Sequence, residues 1–321
     1  MQRKEFLLGA AGAAISLAST AQLIGGAQVN MDSAFKLQTG QALADPCLLN
    51  AGDSYYLIGT GQSRRPRESG LAFDLYQSPD LLSWKNLGPV LKLPEFEGSR
   101  EGNYWAPEIL PFGGKFYLYY TADSFGNPEK RFVRVALAER IEGPYEDSGQ
   151  KLTAEPSIDG HPAYANPAEG YLFYTGNEGN RNVGQLMVDR LITPLQTANE
   201  PVKVFPEETV PWEEGPFTWQ HGGSTYLFTS MGNWRDRSYH ILVSRADKTG
   251  GPFQRLTRAD GNANVLATHE AEQSGPGHNS IFSGPGGKTF ICYHAWDSGH
   301  TGRYPWAAPL EWVDGFPVAK Q

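Results

Sequence analysis

The stretch Gly113-Gly114-Lys115-Phe116-Tyr117-Leu118-Tyr119-Tyr120 sets a glycine turn directly before an aromatic run of high strand propensity. Four further runs share its character: Ser54-Tyr55-Tyr56-Leu57-Ile58-Gly59, Gly170-Tyr171-Leu172-Phe173-Tyr174-Thr175, Ser224-Thr225-Tyr226-Leu227-Phe228-Thr229 and Lys288-Thr289-Phe290-Ile291-Cys292-Tyr293. In chain order their first residues lie 61, 55, 54 and 64 positions apart, a near-constant period that marks a repeat architecture. Shorter strands are predicted between them over Leu71–Tyr76, Val133–Leu137, Val183–Val188 and His240–Ser244, with further turn formers at Gly222-Gly223 and Gly286-Gly287. No segment carries an amphipathic helical pattern. Five repeats of about four short strands predict an all-β fold, a five-bladed β-propeller whose strand edges are protected by radial repetition. A pair of β-sandwiches is the competing arrangement, but it does not require five similar units.

Composition is consistent with a large buried core: the 321 residues are 40% hydrophobic and 12% aromatic. A formal net charge of -8 argues against nucleic-acid binding, which wants a basic surface for the phosphates, and favours neutral or weakly charged ligands. Residues 1–27 read as an export signal. Arg3 and Lys4 precede an apolar core from Phe6 to Ala18, and small residues follow around Ala21 and Ala27. The core is too short for a stable membrane span, so a periplasmic or extracellular protein without a span is expected once the signal is removed. Arg3-Lys4-Glu5-Phe6-Leu7 resembles a twin-arginine signal with one arginine replaced by lysine. Cys47 and Cys292 are too far apart in sequence for a CxxC redox pair or a cysteine zinc site, which leaves two buried thiols or one disulfide clasping the first blade to the last.

Each repeat opens with a conspicuous polar residue upstream of its aromatic run: Asp45, Glu108, Asp159, Glu214 and His278. The first strand of every propeller blade lines the central channel, so these residues are expected to converge there. Carboxyl groups crowded at one axis do not ionise together, and the resulting separation of their pKa values is what an acid/base pair needs. Of the adjacent acids in Trp212-Glu213-Glu214-Gly215-Pro216-Phe217, only Glu214 directly precedes the Gly-Pro break, and Glu213 is expected to point away as neighbouring strand residues do.

The ordered set Asp45-Pro46, Trp105-Ala106-Pro107-Glu108, Ile158-Asp159-Gly160, Glu214-Gly215-Pro216 and Gly275-Pro276-Gly277-His278-Asn279-Ser280 resembles glycoside hydrolase family 43 over residues 40–321. That resemblance implies a catalytic five-bladed propeller with its active site at the central channel, hydrolysing arabinofuranosides and xylosides with inversion. It implies Asp45 as the general base, Glu214 as the general acid and Asp159 as the residue that orients Glu214 and tunes its pKa. For inversion the base and acid carboxyls stand about 6.5–9.5 Å apart, leaving room for the attacking water. Arg303 and Trp105 are implied as sugar contacts, with a salt-bridged arginine and a core tryptophan as the respective alternatives. His278 matches the family histidine near the channel axis, where a structural calcium ion is held largely through water. A structural or substrate-orienting role for His278 is the alternative, since calcium prefers oxygen ligands.

His161-Pro162, after Asp159-Gly160, departs from the family pattern and bears on substrate choice, while Glu108 is expected at the blade or the pocket rim rather than in the chemistry. No cofactor is needed for the reaction so implied. The phrases around Asp159 and His278 look most like the α-L-arabinofuranosidase branch, with an oligo- or polysaccharide substrate. β-Xylosidase and endo-arabinanase are the alternatives within the family, and a non-catalytic carbohydrate-binding propeller is the alternative outside it.

Overall fold

The computed structural model describes residues 30–61, 70–177, 184–208, 210, 212–267 and 273–321. The export signal expected over 1–27, and Val183 at the start of one expected strand, lie outside the described residues. Five antiparallel sheets follow one another along the chain. Their inner strands are Leu43–Asn50, Tyr104–Phe112, Ser157–Asn166, Glu213–His221 and Ser274–Ser283. The aromatic runs form the second strands, Tyr55–Gly61, Lys115–Ser124, Glu169–Asn177, Ser224–Met231 and Thr289–Trp296. Adjacent blades cover these strands on both faces, which is why they read as unbroken apolar runs rather than alternating ones; six of the seven residues of Tyr55–Gly61 are buried. The glycine pairs have a backbone reason. Gly113 and Gly114 take φ of 59° and 79°, and Gly222 and Gly223 take 56° and 82°. A two-residue hairpin turn needs positive φ at both central residues, a region in which Cβ is strained.

Among the described residues the hydrophobic interior is divided into five clusters wedged between neighbouring blades. The ring closes by mixing chain ends: Phe35–Lys36 pairs antiparallel with Arg303–Val313 and so supplies the outer strand of the fifth blade. The propeller thus draws in residues N-terminal to position 40. The first and fifth blades are also joined at the inner strands, where Leu48 N donates to Ser280 Oγ (3.0 Å) and Ser280 Oγ donates to the Pro46 carbonyl (2.9 Å). Cys47 and Cys292 are buried free thiols, so no disulfide adds to this closure. Burial pushes both thiols up, away from the reactive thiolate form. No helix among the described residues is long and apolar enough to cross a membrane.

The channel owes its shape to a repeated irregularity. Each inner strand has a register shift around one residue of positive φ, Asp45 (50°), Ala106 (44°), Asp159 (59°), Gly215 (59°) and His278 (45°); the fifth has a further shift at Gly275 (59°) and the third a further one near its end without a positive φ. These five, rather than the set with Glu108 and Glu214, are the structurally equivalent positions. Glu108 stands two residues beyond its blade's turning point and Glu214 one before, because a bulge inserts a residue and re-aims the side chains around it. The second strand of the preceding blade pins most of these bulges. Ala106 N donates to Thr60 Oγ1 (2.8 Å), Asp159 N to Thr121 Oγ1 (3.0 Å) and His278 N to Ser230 Oγ (2.7 Å). At the ring closure the same place is taken by His294, whose Nδ1 accepts from Asp45 N (3.0 Å).

Candidate active site

The bulges of the first, third and fifth blades bring Asp45, Asp159 and His278 together. His278 Nδ1 lies 3.4 Å from Asp45 Oδ1 and 3.8 Å from Asp159 Oδ2, so the imidazole is interposed between two carboxyl groups. Burial opposes a charge on this ring, but Asp45, Asp159 and Glu214 outweigh it and hold its pKa above the ordinary histidine value. Asp45 has a second cationic neighbour, with Arg303 Nη1 3.6 Å from its Oδ1. Burial alone would raise the Asp45 carboxyl; His278 and Arg303, with a hydrogen bond from Thr60, instead hold it well below the usual carboxylate range.

Asp159 is in the opposite state. Burial raises its carboxyl to about 7, with the charges of Glu214 and Asp45 adding to the rise while His278 and the Gly215 N–H bond to its Oδ2 (3.1 Å) act against it. The charge of Glu214 beside it is thus one reason the Asp159 carboxyl keeps its proton.

Glu214 is buried at 8% exposure and gripped at both oxygens. Trp212 Nε1 donates to Oε2 (2.5 Å), and the Tyr239 hydroxyl donates to Oε1 (2.6 Å). A phenol can donate to a carboxylate and accept from a carboxylic acid, so Tyr239 can partner Glu214 in either protonation state. Gly277 explains part of the Gly275-Pro276-Gly277 motif: a Cβ there would come within 1.9 Å of the Tyr239 ring, so only glycine admits that ring to the acid. Tyr239→Phe is expected to lower kcat about tenfold with KM little changed, the size of one hydrogen bond to an ionisable group; steady-state kinetics on a cleaved glycoside would check it. Glu213 points away from the site. At 1% exposure it takes a two-pronged bond from Arg255 (2.6 Å to each oxygen) and another from Thr229 Oγ1 (2.6 Å).

The remaining expected residues divide. Arg303 reaches the site and is held by aromatic contacts, its guanidinium 4.5 Å from the Trp234 ring centroid, which is itself stacked on Trp296. Trp105 is half-buried at the bulge of the second blade, and the Arg131 guanidinium lies 4.2 Å from its ring centroid. Glu108 does not join the carboxyl cluster. Its Oε2 lies 2.7 Å from His161 Nδ1, while Thr218 N donates to His161 Nε2 (2.9 Å). His161, whose Nε2 also lies 2.9 Å from Thr218 Oγ1, ties three blades together. The departure at His161-Pro162 thus serves blade-to-blade packing, with the ring also against Phe217 at 4.5 Å.

Two residues of the site were missed from sequence. Tyr239 has no local signal, because it approaches Glu214 from the entrance of a third strand. His294 did have one: it stands six residues after the start of its aromatic run, as do Thr60, Thr121 and Ser230. Burial and the neighbouring Arg303 push His294 well below the ordinary histidine value, so it is neutral and its Nδ1 lone pair is available to the Asp45 N–H. The proton then sits on Nε2, and the approach of Arg303 Nη1 to that atom at 3.3 Å is a contact rather than a donated bond.

The donor set around His278 offers no direct calcium cage, which bears on direct ligation and not on an ion held through water. Calcium takes six to eight oxygen ligands, and among the described residues no group of three or more His, Cys, Asp or Glu is arranged to hold a metal ion. His278 is engaged with two acids and favours its own positive charge, which repels a second cation.

A family model described as glycosyl hydrolases family 43 matches residues 39–317. The β-D-galactofuranosidase xynD of Aspergillus niger is 27% identical over 237 residues, covering 69% of this chain and 65% of that protein. The extracellular exo-α-(1→5)-L-arabinofuranosidase ArbA of Cellvibrio japonicus is 26% identical over 286 residues, covering 79% of each. Among solved structures, a thermostable family-43 glycoside hydrolase matches with a TM-score of 0.74 at 25% identity, over 88% of this chain and 93% of that one.

Proposed function

The chain belongs to glycosyl hydrolases family 43 and is a glycosidase, and from that footing we propose that it is an inverting, exo-acting α-L-arabinofuranosidase. The observation that carries the mechanism is the contrast between carboxyl environments: Asp45 is held ionised by His278 and Arg303, while burial and the neighbouring Glu214 and Asp45 keep a proton on Asp159, whose Oδ2 accepts from the N–H of Gly215 next to Glu214. Such divergence is how one site supplies a base and an acid at the same pH. Asp45 takes a proton from a water whose oxygen attacks the anomeric carbon. The bond from that carbon to the glycosidic oxygen breaks, and Glu214 gives its proton to the departing oxygen. The released sugar has inverted configuration, Asp45 is left protonated and Glu214 ionised, and exchange with solvent resets both. Asp159 tunes the proton on Glu214, Arg303 holds both Asp45 and the sugar, and the positive charge of His278 offsets the repulsion between the two aspartates.

The sugar is argued from relatives and chemistry together. ArbA is named for exo action on α-(1→5)-arabinofuranosides and xynD for β-D-galactofuranosides. The two sugars share the arrangement of groups on the furanose ring and differ only in the chain beyond it, so one pocket geometry suits both. The experiment is a panel of 4-nitrophenyl α-L-arabinofuranoside, β-D-galactofuranoside and β-D-xylopyranoside with linear arabino-oligosaccharides, followed by chromatography. We expect the arabinofuranoside to have the highest kcat/KM and the oligosaccharides to shorten by single arabinose units. Preference for the xyloside, or release of oligosaccharides from the chain interior, would overturn this assignment. The N-terminal sequence and the word extracellular in the names of relatives support export from the cell.

A further inference from the structure

Arg131 belongs to none of the roles above, and its surroundings set it apart from two ion-paired arginines. Arg134 is paired with Asp147 (2.7 Å) and Arg255 with Glu213 and Glu208. Arg131, on the third strand of the second blade (Asn127–Ala138), has its guanidinium over the Trp105 ring, and its Nε is buried with no hydrogen-bond partner among the described residues. Three acids are close enough to feel its charge, Asp123, Asp159 and Glu214. Each already holds other donors. Asp123 accepts from Asn103 N (2.7 Å) and Asn103 Nδ2 (2.9 Å), Glu214 from Trp212 and Tyr239, and Asp159 from Gly215 N.

Stacking on an indole occupies the face of a guanidinium but leaves its in-plane N–H groups free to donate. A cation in this position attracts an oxygen-rich ligand, and its place in the cleft says which part. The acids around Arg131 include Glu214 and Asp159, whereas the arginine at Asp45 is Arg303, 3.6 Å from its Oδ1. In an inverting site the water enters on the side of the base and the leaving group departs on the side of the acid.

We propose that Arg131, carried on Trp105, is a substrate-positioning residue that donates hydrogen bonds to hydroxyl oxygens of the leaving-group sugar. The inference rests on the glycosidase reading of the site and adds to it the residue that recognises the sugar beyond the cleaved bond. Trp105 is then the support of a polar contact, with one face given to Arg131, rather than only an apolar wall.

The test compares Arg131→Gln with the full-length wild-type enzyme on two substrates cleaved at the same bond type: an α-(1→5)-linked arabinobiose, which has a sugar leaving group, and 4-nitrophenyl α-L-arabinofuranoside, which has none. Loss of the fork is expected to lower kcat/KM on the disaccharide at least tenfold more than on the aryl glycoside, mostly through KM, in line with about one or two lost hydrogen bonds. Arg131→Lys keeps the charge and stem without the planar fork and is expected to show the same selective loss, which guards against a folding defect in the first variant. Equal losses on both substrates, or no loss on either, would overturn the proposal while leaving the glycosidase reading intact. No turnover of either substrate by the wild-type enzyme would overturn both.

Discussion

Glu214→Gln is expected to lower kcat about a thousandfold on an arabino-oligosaccharide, within the range of general acid catalysis, and by much less on 4-nitrophenyl α-L-arabinofuranoside. The difference follows from the leaving group. A sugar alkoxide is too basic to depart without a proton, whereas 4-nitrophenolate is a stable anion that needs little help. With its carbonyl oxygen toward Trp212 and its amide N–H donating to the Tyr239 hydroxyl, which can accept, glutamine keeps both partners, so the site should remain assembled while its proton donor is gone. Asp45→Asn provides the contrast. Activation of water is required whatever leaves, so this variant is expected to lose about 10³- to 10⁴-fold on both substrates alike. Parallel measurement of kcat on the two substrates separates the roles. An equal loss in Glu214→Gln on both would mean that Glu214 is not the proton donor.

Asp159→Asn has the second large effect, and it is read through pH. In the unfolded chain this carboxyl gives up its proton near the ordinary aspartate value; in the folded protein it keeps it to about 7, because it is buried among Glu214 and Asp45. Between those values the native state binds the extra proton, so this group's contribution to stability is full below the unfolded value and is lost as pH rises through about 7. Asparagine has no proton to lose. The melting temperature of Asp159→Asn relative to wild type is therefore expected to rise from pH 4 to pH 8, the opposite of what removing a stabilising ion pair would do. Asp45 does not confuse this window, since its depressed pKa confers stability that is lost only in stronger acid. The same substitution is expected to reduce kcat by about 10- to 100-fold and to move the alkaline limb of the pH–rate profile away from neutrality, as removal of a carboxyl that loses its proton there should. A constant difference in melting temperature across this range would show that Asp159 carries no raised pKa.

The propeller was legible because its signals are local and repeated. Glycine pairs with two positive φ values and second strands buried on both faces each leave a mark that survives without tertiary information. The convergence of Asp45, Asp159 and His278 followed from the same period. The exact register of the channel did not, since the bulges insert residues whose presence depends on hydrogen bonds from a neighbouring blade, such as Thr121 Oγ1 to Asp159 N. That is why Glu108 was grouped with the carboxyls although it faces His161. Tyr239 and Arg131 were illegible for a different reason. Each enters the site from a third strand or its approach, where no motif surrounds it and only the packing of Gly277 or Trp105 reveals the direction of the side chain. His294 occupies a repeat position normally held by a hydroxyl, and comparison of the five runs at that offset would have exposed it.

The central claim is that Asp45 acts through water while Glu214 protonates the leaving oxygen. Proton NMR of the anomeric signal in the first minutes of hydrolysis of 4-nitrophenyl α-L-arabinofuranoside tests it most directly, before mutarotation mixes the products. The account predicts that β-L-arabinofuranose appears first. First appearance of the α anomer would mean a covalent sugar–enzyme intermediate and would contradict the assignment of Asp45 as a base.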